Sequence, residues 1–359
     1  MTNTKLFLIF CLVFFVRPIY GQITCNCSQA LKQLIVKIES EYPGFPEKTK
    51  QNKDLYQAKK NILTKKSLLV SNGSCMGLLQ EYLDFFQDEH IVLDDLSKKK
   101  NAPQTSTENP KAEPEEEISS KSISPDIFYI KISSFGYENI APFKELIEKN
   151  KEKIESSKGL IIDVRNNGGG TDDVYQPLLP YILTNPIRIM SVEFFATQTL
   201  VNGLRDYAIK NIKQDSLNEV KRIDEDLREY RENIGKFVLY GDKKVIIDTI
   251  AINKKSPQQV IILANRNVAS SAENFLFSSR QSKKVKIMGT PSMGALDYGS
   301  IREFKFGCDN YQLLLPTYRS TRLPQYPIDN IGIHSPISIW MNPFQTGSIL
   351  RCVTSMNNQ

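Results

Sequence analysis

The spacing of apolar positions changes along the chain, and each spacing predicts a different kind of element. Between residues 24 and 96, apolar side chains recur at helical spacing, which predicts a helical region. Beyond residue 126, short continuous apolar runs alternate with amphipathic helical stretches, and such runs are typical of strands in a sheet with both faces covered. The clearest runs are Ile127–Ile132, Gly159–Val164, Val260–Leu263 and Val285–Met288. This alternation predicts an α/β domain.

Composition divides the 359 residues into segments. The apolar run Leu6–Val16 follows Lys5 and is too short to span a bilayer, so residues 1–21 are predicted to be a secretory signal peptide. Residues 97–125 are rich in Pro, Ser, Lys and Glu and are predicted to be a disordered linker. The other segments are an N-terminal helical subdomain (22–96), the α/β core (126–345) with a charged helical insertion at about 201–236, and a C-terminal tail (346–359).

Charge and cysteine content exclude further classes. The formal net charge of +6 falls to +4 without the signal peptide, which is too small an excess to indicate a nucleic-acid-binding protein. The exported chain would keep five cysteines as disulfide candidates: Cys75 with Cys25 or Cys27, and Cys308 with Cys352. The spacing of Cys25 and Cys27 is not that of a strong zinc motif, and the chain has only two histidines. We therefore expect no metal and no cofactor.

Three successive glycines follow a predicted buried strand that ends near Val164. Gly168, Gly169 and Gly170 allow backbone torsions that other residues avoid, and their N–H groups can point at one atom. Such a loop can form part of an oxyanion hole, although an ordinary glycine-rich turn has the same composition. A nucleotide-binding loop is excluded, because no Gly-Lys-Ser/Thr follows.

Two serines stand where a helix is expected to begin after the strand Val260–Leu263. A hydroxyl at this place lies beside the free N–H groups and the positive end of a helix, which favours a serine nucleophile. The alternative is that Ser270 or Ser271 only caps the helix, with Glu273 completing a Ser-x-x-Glu capping box. A histidine base would have to be His90 or His334, since the chain has no others.

Five short segments follow one another along the chain: Asp88–Ile91, Asp163–Gly170, Ala269–Glu273, Gly289–Gly294 and Asp329–Pro336. This ordered set resembles the tail-specific, or C-terminal-processing, serine peptidase family, which includes the core peptidase of tricorn. The resemblance covers roughly residues 75–340. It implies a crotonase-like core that hydrolyses peptide bonds in a polypeptide substrate.

The resemblance assigns roles to individual residues. Ser270 is the implied nucleophile, and the N–H of Ser271 with one N–H of Gly168–Gly170 would form the oxyanion hole. Many family members use a lysine directly after the last glycine of Gly289–Gly294, but Ala295 stands there and cannot accept a proton.

Tricorn-like members instead use a histidine in the early motif. This implies His90 as the general base and Asp329 as its orienting group, while Asp88 or Glu89 could also steer the imidazole.

Several alternatives stay open at this point. The interval between His90 and Ile127 is too short for the PDZ module that many members of this family carry. If that module selects substrates in those members, the insertion at 201–236 is one candidate for this task here; the alternative is that the insertion is a solvated helical segment without contact to substrate.

A catalytically inactive module that binds a ligand or peptide, or an esterase, could use the same fold. No membrane insertion is expected after signal removal, export could end in the periplasm or the medium, and the oligomeric state is open.

Overall fold

A computed structural model describes residues 26–96, 117–210, 217–253, 255, 257–307, 309–335, 337 and 338. The predicted signal peptide, most of the predicted linker, the C-terminal tail, Cys25, Cys308 and Cys352 lie outside these residues. None of the helices among the described residues is long and apolar enough to cross a membrane.

The helices are concentrated in two regions of the chain, one before the predicted linker and one between the glycine loop (Gly168–Gly170) and Ala269–Glu273, the nucleophile segment implied by the family resemblance. Asn26 caps the first helix by accepting the Gln29 N–H at 2.9 Å. The helices are α1 Cys27–Glu41, α2 Phe45–Lys50, α3 Lys53–Ser67, α4 Cys75–Leu83, α5 Ile140–Lys149, α6 Lys151–Ser156, α7 Leu179–Ile182, α8 Gln198–Lys210, α9 Leu217–Asp226, α10 Arg228–Glu232 and α11 Ser271–Ser279.

The strands in the described part of the chain form three sheets, so the chain has the α/β character that the apolar runs predict. They are β1 Val92–Asp95, β2 Ile118–Ser124, β3 Ile127–Ile132, β4 Gly159–Asp163, β5 Ile187–Met190, β6 Val192–Phe195, β7 Phe237–Leu239, β8 Val245–Asp248, β9 Gln259–Ala264, β10 Val285–Gly289, β11 Tyr298–Phe306, β12 Tyr311–Ser320 and β13 Ile337–Ser338.

The largest sheet has the order β13-β10-β9-β4-β3-β2 and positions the glycine loop and the nucleophile segment. β3, β4, β9, β10 and β13 run parallel, and only β2 is antiparallel to its neighbour. Since β4 and β9 are parallel neighbours, their carboxyl ends meet at one edge of the sheet. The segments that follow Asp163 and Ala264 therefore emerge side by side.

The second sheet joins the N-terminal region to the core. β1 pairs antiparallel with the start of β12, β6 pairs with the end of β12, and β11 lies on the other side of β12. Buried side chains of α1, α3 and α4 share one apolar cluster with Phe304 and Leu313 of this sheet. The disulfide Cys27–Cys75 ties α1 to α4 inside that cluster and selects Cys27 over Cys25 as the partner of Cys75.

Two expectations about local structure need correction. Residues 118–124 are not linker but the edge strand β2, whose Ser-rich, half-exposed sequence lacks the apolar run of a central strand. The N-terminal region is not wholly helical, since it ends in β1.

Candidate active site

Ser270 stands between β9 and α11, directly before the first helical residue. Its backbone has φ 54°, a left-handed value that side-chain-bearing residues seldom adopt. The Oγ atom lies 3.2 Å from Nε2 of His90, although 180 positions separate the two residues. The structure thus brings together the serine and the histidine that the sequence singled out.

Ser271 is engaged elsewhere, which separates the two serines. Its hydroxyl donates to Oδ1 of Asp172 at 2.6 Å, and Nδ2 of Asn274 lies 3.3 Å from the other oxygen of this carboxylate. Burial raises the pKa of Asp172 above its ordinary value. The hydroxyl beside the histidine is therefore that of Ser270.

Glu273 is fully buried and holds the segment around Ser270 in place. One carboxylate oxygen accepts from the Ser292 hydroxyl at 2.5 Å and the Gly294 N–H at 2.8 Å. The other accepts the N–H groups of Ala295 at 2.7 Å and Ser270 at 3.1 Å. The last contact is one half of the expected capping box. Glu273 thus joins the nucleophile segment to the Gly289–Gly294 loop.

The glycine loop lies against Ser270. A Cβ atom added to Gly169, which has φ 95°, would lie 2.8 Å from the Ser270 Cβ and 2.9 Å from the Ser271 nitrogen. The N–H of Gly169 donates to Oδ1 of Asn167 at 2.9 Å and is therefore not available to a ligand. Within the described chain, the N–H groups of Gly168, Gly170 and Ser271 donate no hydrogen bond. These three remain as oxyanion-hole candidates.

His90 follows α4 and a short turn. Its N–H donates to Oδ1 of Asp88 at 2.9 Å, and its ring Nδ1 lies 3.7 Å from that same oxygen. The latter distance fits an ion pair but is too long for a hydrogen bond, and the buried Nδ1 has no hydrogen-bond partner in the part of the chain that the structure describes. Asp88 has no exposed side-chain surface and receives the Tyr42 hydroxyl at 2.7 Å on its other oxygen.

No hydrogen bond or ion pair joins the side chains of Asp329 and His90. No oxygen of Asp329 lies within 4.0 Å of a ring nitrogen of His90; one accepts the N–H groups of Leu296 and Asp297, both at 2.8 Å. Its other oxygen, Oδ2, is buried and has no hydrogen-bond partner among the described residues. Burial, together with the nearby charges of Asp88 and Asp297, raises the pKa of Asp329 to about 8.

Two other positions considered from the sequence, His334 and Ala295, lie outside the contact between Ser270 and His90. His334 is exposed, whereas His90 contacts Ser270, so the structure distinguishes the two histidines. Ala295 is buried and its N–H is bonded to Glu273, at the position where related enzymes carry a lysine. No cluster of His, Cys, Asp and Glu in the described ranges is arranged to hold a metal ion.

The family model for peptidase family S41 matches residues 126–339, which is more than half of the chain. The chain belongs to peptidase family S41. As a member of this family, the chain is a serine-type peptidase of the tail-specific, C-terminal-processing kind. The matched range contains the glycine loop and Ser270, but Asp88 and His90 precede it.

Solved structures support the same fold at low sequence identity. Mature CPAF is 13% identical with a TM-score of 0.59 and covers 87% of this chain and 92% of its own. CPAF in complex with lactacystin is 14% identical with a TM-score of 0.58, covering 87% and 94%. A candidate peptidase from Parabacteroides merdae is 14% identical with a TM-score of 0.57, covering 91% and 96%. No curated protein sequence matches the chain at a significant level.

The family resemblance implies Asp329 as the orienting group and leaves open whether Asp88 or Glu89 also steers His90, whereas the carboxylate within 4.0 Å of Nδ1 of His90 in the structure is that of Asp88. Asp88 lies only two positions before His90, and its carboxylate accepts the His90 N–H within a local turn, so this contact could be expected from the sequence. Tyr42 carried no signal, because its contact with Asp88 joins positions 46 apart.

Proposed function

We propose that this chain is an exported endopeptidase that hydrolyses peptide bonds in polypeptides through Ser270, with His90 as the general base. One observation carries the proposal: the serine Oγ and the histidine Nε2 lie 3.2 Å apart. This distance lies at the upper end of hydrogen-bond reach, as is common for a nucleophile and its base before substrate binds. The core around them is proposed to be crotonase-like, and residues 1–21 a signal peptide that directs export.

The chemistry follows from the position of the two ring nitrogens. A neutral imidazole with its proton on Nδ1 accepts the Ser270 proton at Nε2 while Oγ attacks the scissile carbonyl carbon. The imidazolium then gives that proton to the leaving amine, and an acyl ester remains on Ser270. A water molecule, deprotonated by His90, hydrolyses the ester and restores the serine.

Asp88, rather than Asp329, is the proposed orienting carboxylate. Its Oδ1 lies 3.7 Å from Nδ1 of His90, so a small shift would form a charge-assisted hydrogen bond to that ring nitrogen. Asp329, with a pKa of about 8, is largely uncharged near pH 7 and is engaged with the N–H groups of Leu296 and Asp297. It is proposed to hold this loop beside the site.

The proposed oxyanion hole combines the Ser271 N–H with an N–H of Gly168 or Gly170. Ser271 begins α11, so its N–H has no partner within the helix, and the positive helix end adds to its field. Gly169 serves by its small size, because it lets the loop approach Ser270. One such donor contributes about a hundredfold to acyl transfer.

Labelling with a fluorescent fluorophosphonate tests this proposal, because the probe forms a covalent bond with an activated serine. We expect the full-length protein to be labelled, Ser270→Ala to be unlabelled, and Ser271→Ala to keep its label. Lactacystin, which has been solved in complex with CPAF, is a second probe, expected to block labelling by competition. An unlabelled wild-type chain, beside a labelled reference serine peptidase, would overturn the proposed mechanism in favour of a binding module.

A further inference from the structure

We infer that Tyr42 is a positioning residue of this peptidase: its buried hydroxyl holds the Asp88 carboxylate in the place from which that carboxylate faces the ring of His90. The inference rests on the proposed function, because it concerns the same serine–histidine pair. It adds a contribution from the end of α1, outside the range that the family model matches.

Tyr42 has no freedom to point elsewhere. Its ring is fully buried, packs edge-on against Phe86 with centroids 5.5 Å apart, and lies tilted against Tyr298 at 5.6 Å. Its N–H caps α1 by donating to the Ile38 carbonyl at 3.3 Å. The ring is thus fixed by α1, by the segment after α4 and by β11, and its hydroxyl has a fixed direction.

Asp88 depends on that hydroxyl. One carboxylate oxygen receives the Tyr42 O–H at 2.7 Å and the other receives the His90 N–H at 2.9 Å. No Lys or Arg nitrogen of the described chain lies within 4.0 Å of this fully buried carboxylate. Since a buried charge is costly unless it is hydrogen-bonded, removal of the Tyr42 hydroxyl leaves Asp88 with one donor and an unsatisfied oxygen.

The direction of the hydrogen bond is fixed by protonation. Burial raises the pKa of Tyr42 well above its ordinary value, and the charge of Asp88 raises it further. The phenol therefore stays protonated and donates throughout the range in which a histidine base works. The Tyr42 hydroxyl thus restrains one oxygen of the Asp88 carboxylate, and the other oxygen of that carboxylate lies 3.7 Å from Nδ1 of His90.

Other groups near Asp88 must be kept constant in a test of this contact. Tyr298 and Asp329 interact electrostatically with Asp88, Glu47 accepts the Tyr298 hydroxyl at 2.9 Å, and Lys48 lies over the Tyr298 ring. A Tyr42→Phe substitution keeps the ring and all four of these groups. It removes only the oxygen that touches Asp88.

Tyr56 offers a matched control within the same aromatic cluster. It is 2% exposed, and its hydroxyl lies 2.6 Å from Glu39 and 2.9 Å from the hydroxyl of Tyr82. None of these groups belongs to the serine–histidine site. Tyr56→Phe therefore loses a buried hydroxyl of the same kind without touching Asp88.

The experiment measures fluorophosphonate labelling of the full-length chain and both variants against probe concentration and pH. For Tyr42→Phe we expect the maximal labelling rate to fall about tenfold, the effect of one hydrogen bond to a charged group. The half-saturating probe concentration should stay unchanged. The acid-side midpoint of the pH profile should move to lower pH, because a poorly held carboxylate stabilises the imidazolium less. Tyr56→Phe should match the wild type in all three.

A Tyr42→Phe variant with the rate and the pH midpoint of Tyr56→Phe would overturn the inference while leaving the proposed function intact. An unlabelled wild type would instead overturn the proposed function. If Tyr42→Phe fails to fold, Asp88→Asn is decisive, because the inference requires that losing this charge slows labelling by at least as much. An unchanged rate in Asp88→Asn would refute it.

Discussion

The two halves of the serine–histidine pair are held in different ways. On the serine side, Glu273 is buried with four donors around its carboxylate, and every one of its contacts is between 2.5 and 3.1 Å. On the histidine side, Nδ1 of His90 and Oδ2 of Asp329 are both buried without a hydrogen-bond partner among the described residues, and Oδ1 of Asp88 lies 3.7 Å from Nδ1. The backbone around Ser270 is therefore held by a complete set of hydrogen bonds, whereas the Nδ1 side of the imidazole has only an incomplete contact.

This difference assigns different tasks to the two sides. A satisfied polar network defines one geometry, so Ser270 and the adjacent N–H groups are in place before substrate arrives. The imidazole retains one unfilled position, and hydrogen bonds of catalytic bases commonly shorten when substrate binds. Mutations on the serine side should therefore cost stability and activity together, and those on the histidine side chiefly activity.

His90→Ala should have the largest effect on activity. We expect the labelling rate with fluorophosphonate to fall about a thousandfold, or about 4 kcal/mol, because the proton acceptor of Ser270 is lost. Urea unfolding should change little. The exposed His334→Ala is the control and should keep the wild-type rate. Equal loss in both variants would remove His90 from its role.

Glu273→Gln should come next and should act on folding as well. The amide nitrogen of Gln would face two donors in place of an acceptor oxygen, which we expect to cost about 3 kcal/mol of unfolding free energy. Urea denaturation checks this value. The exposed Glu225→Gln should be neutral by comparison, and a stable Glu273→Gln would contradict the rigid serine side.

Gly169→Ala should have an intermediate effect. The new methyl group would lie 2.8 Å from the Ser270 Cβ, at a φ that L-residues avoid, so we expect about 2 kcal/mol of destabilisation and a slower labelling rate. Gly77→Ala in α4 is the control, because its added Cβ would have no atom within 4 Å other than those of its chain neighbours and of the backbone of its own helix. That variant should be as stable as the wild type or slightly more so.

Asp329→Asn should have the smallest effect on catalysis. With a pKa of about 8, the carboxyl is already largely neutral at pH 7, so we expect a labelling rate there within about twofold of the wild type, below 0.5 kcal/mol. A loss of several decades would restore Asp329 as the orienting charge of His90.

The pH dependence of stability checks the same residue. The pKa of Asp329 is raised from 3.8 to about 8 on folding, so between these values the folded chain holds a proton that the unfolded chain has released. Wild-type stability should therefore fall as pH rises through this interval. Asp329→Asn should lack that decline: it should gain stability over the wild type from about pH 4 to 8 and no more above. The exposed Asp226→Asn should follow the wild type.

The sequence predicted the elements that carry their own pattern. The continuous apolar runs identified β3, β4, β9 and β10, and the strand-to-helix change located Ser270 within one residue of the start of α11. Features that depend on distant partners were missed. The half-exposed strand β2 reads as linker because it is completed only by pairing with β3.

The site shows the same limit. Ser270 and His90 were recognisable by residue type and family resemblance, but the contact between Asp88 and Tyr42 was not, because it depends on how the end of α1 packs beside the turn after α4. The separation of Asp329 from His90 is likewise set by N–H groups of residues more than 30 positions earlier.

The pairing of β1 with β12 couples the position of His90 to the second sheet. Val92 lies only two positions after His90 and pairs with Leu314, so separation of these two strands would also shift the imidazole relative to the hydroxyl of Ser270. The integrity of this strand pair is therefore a condition for the contact between the two side chains.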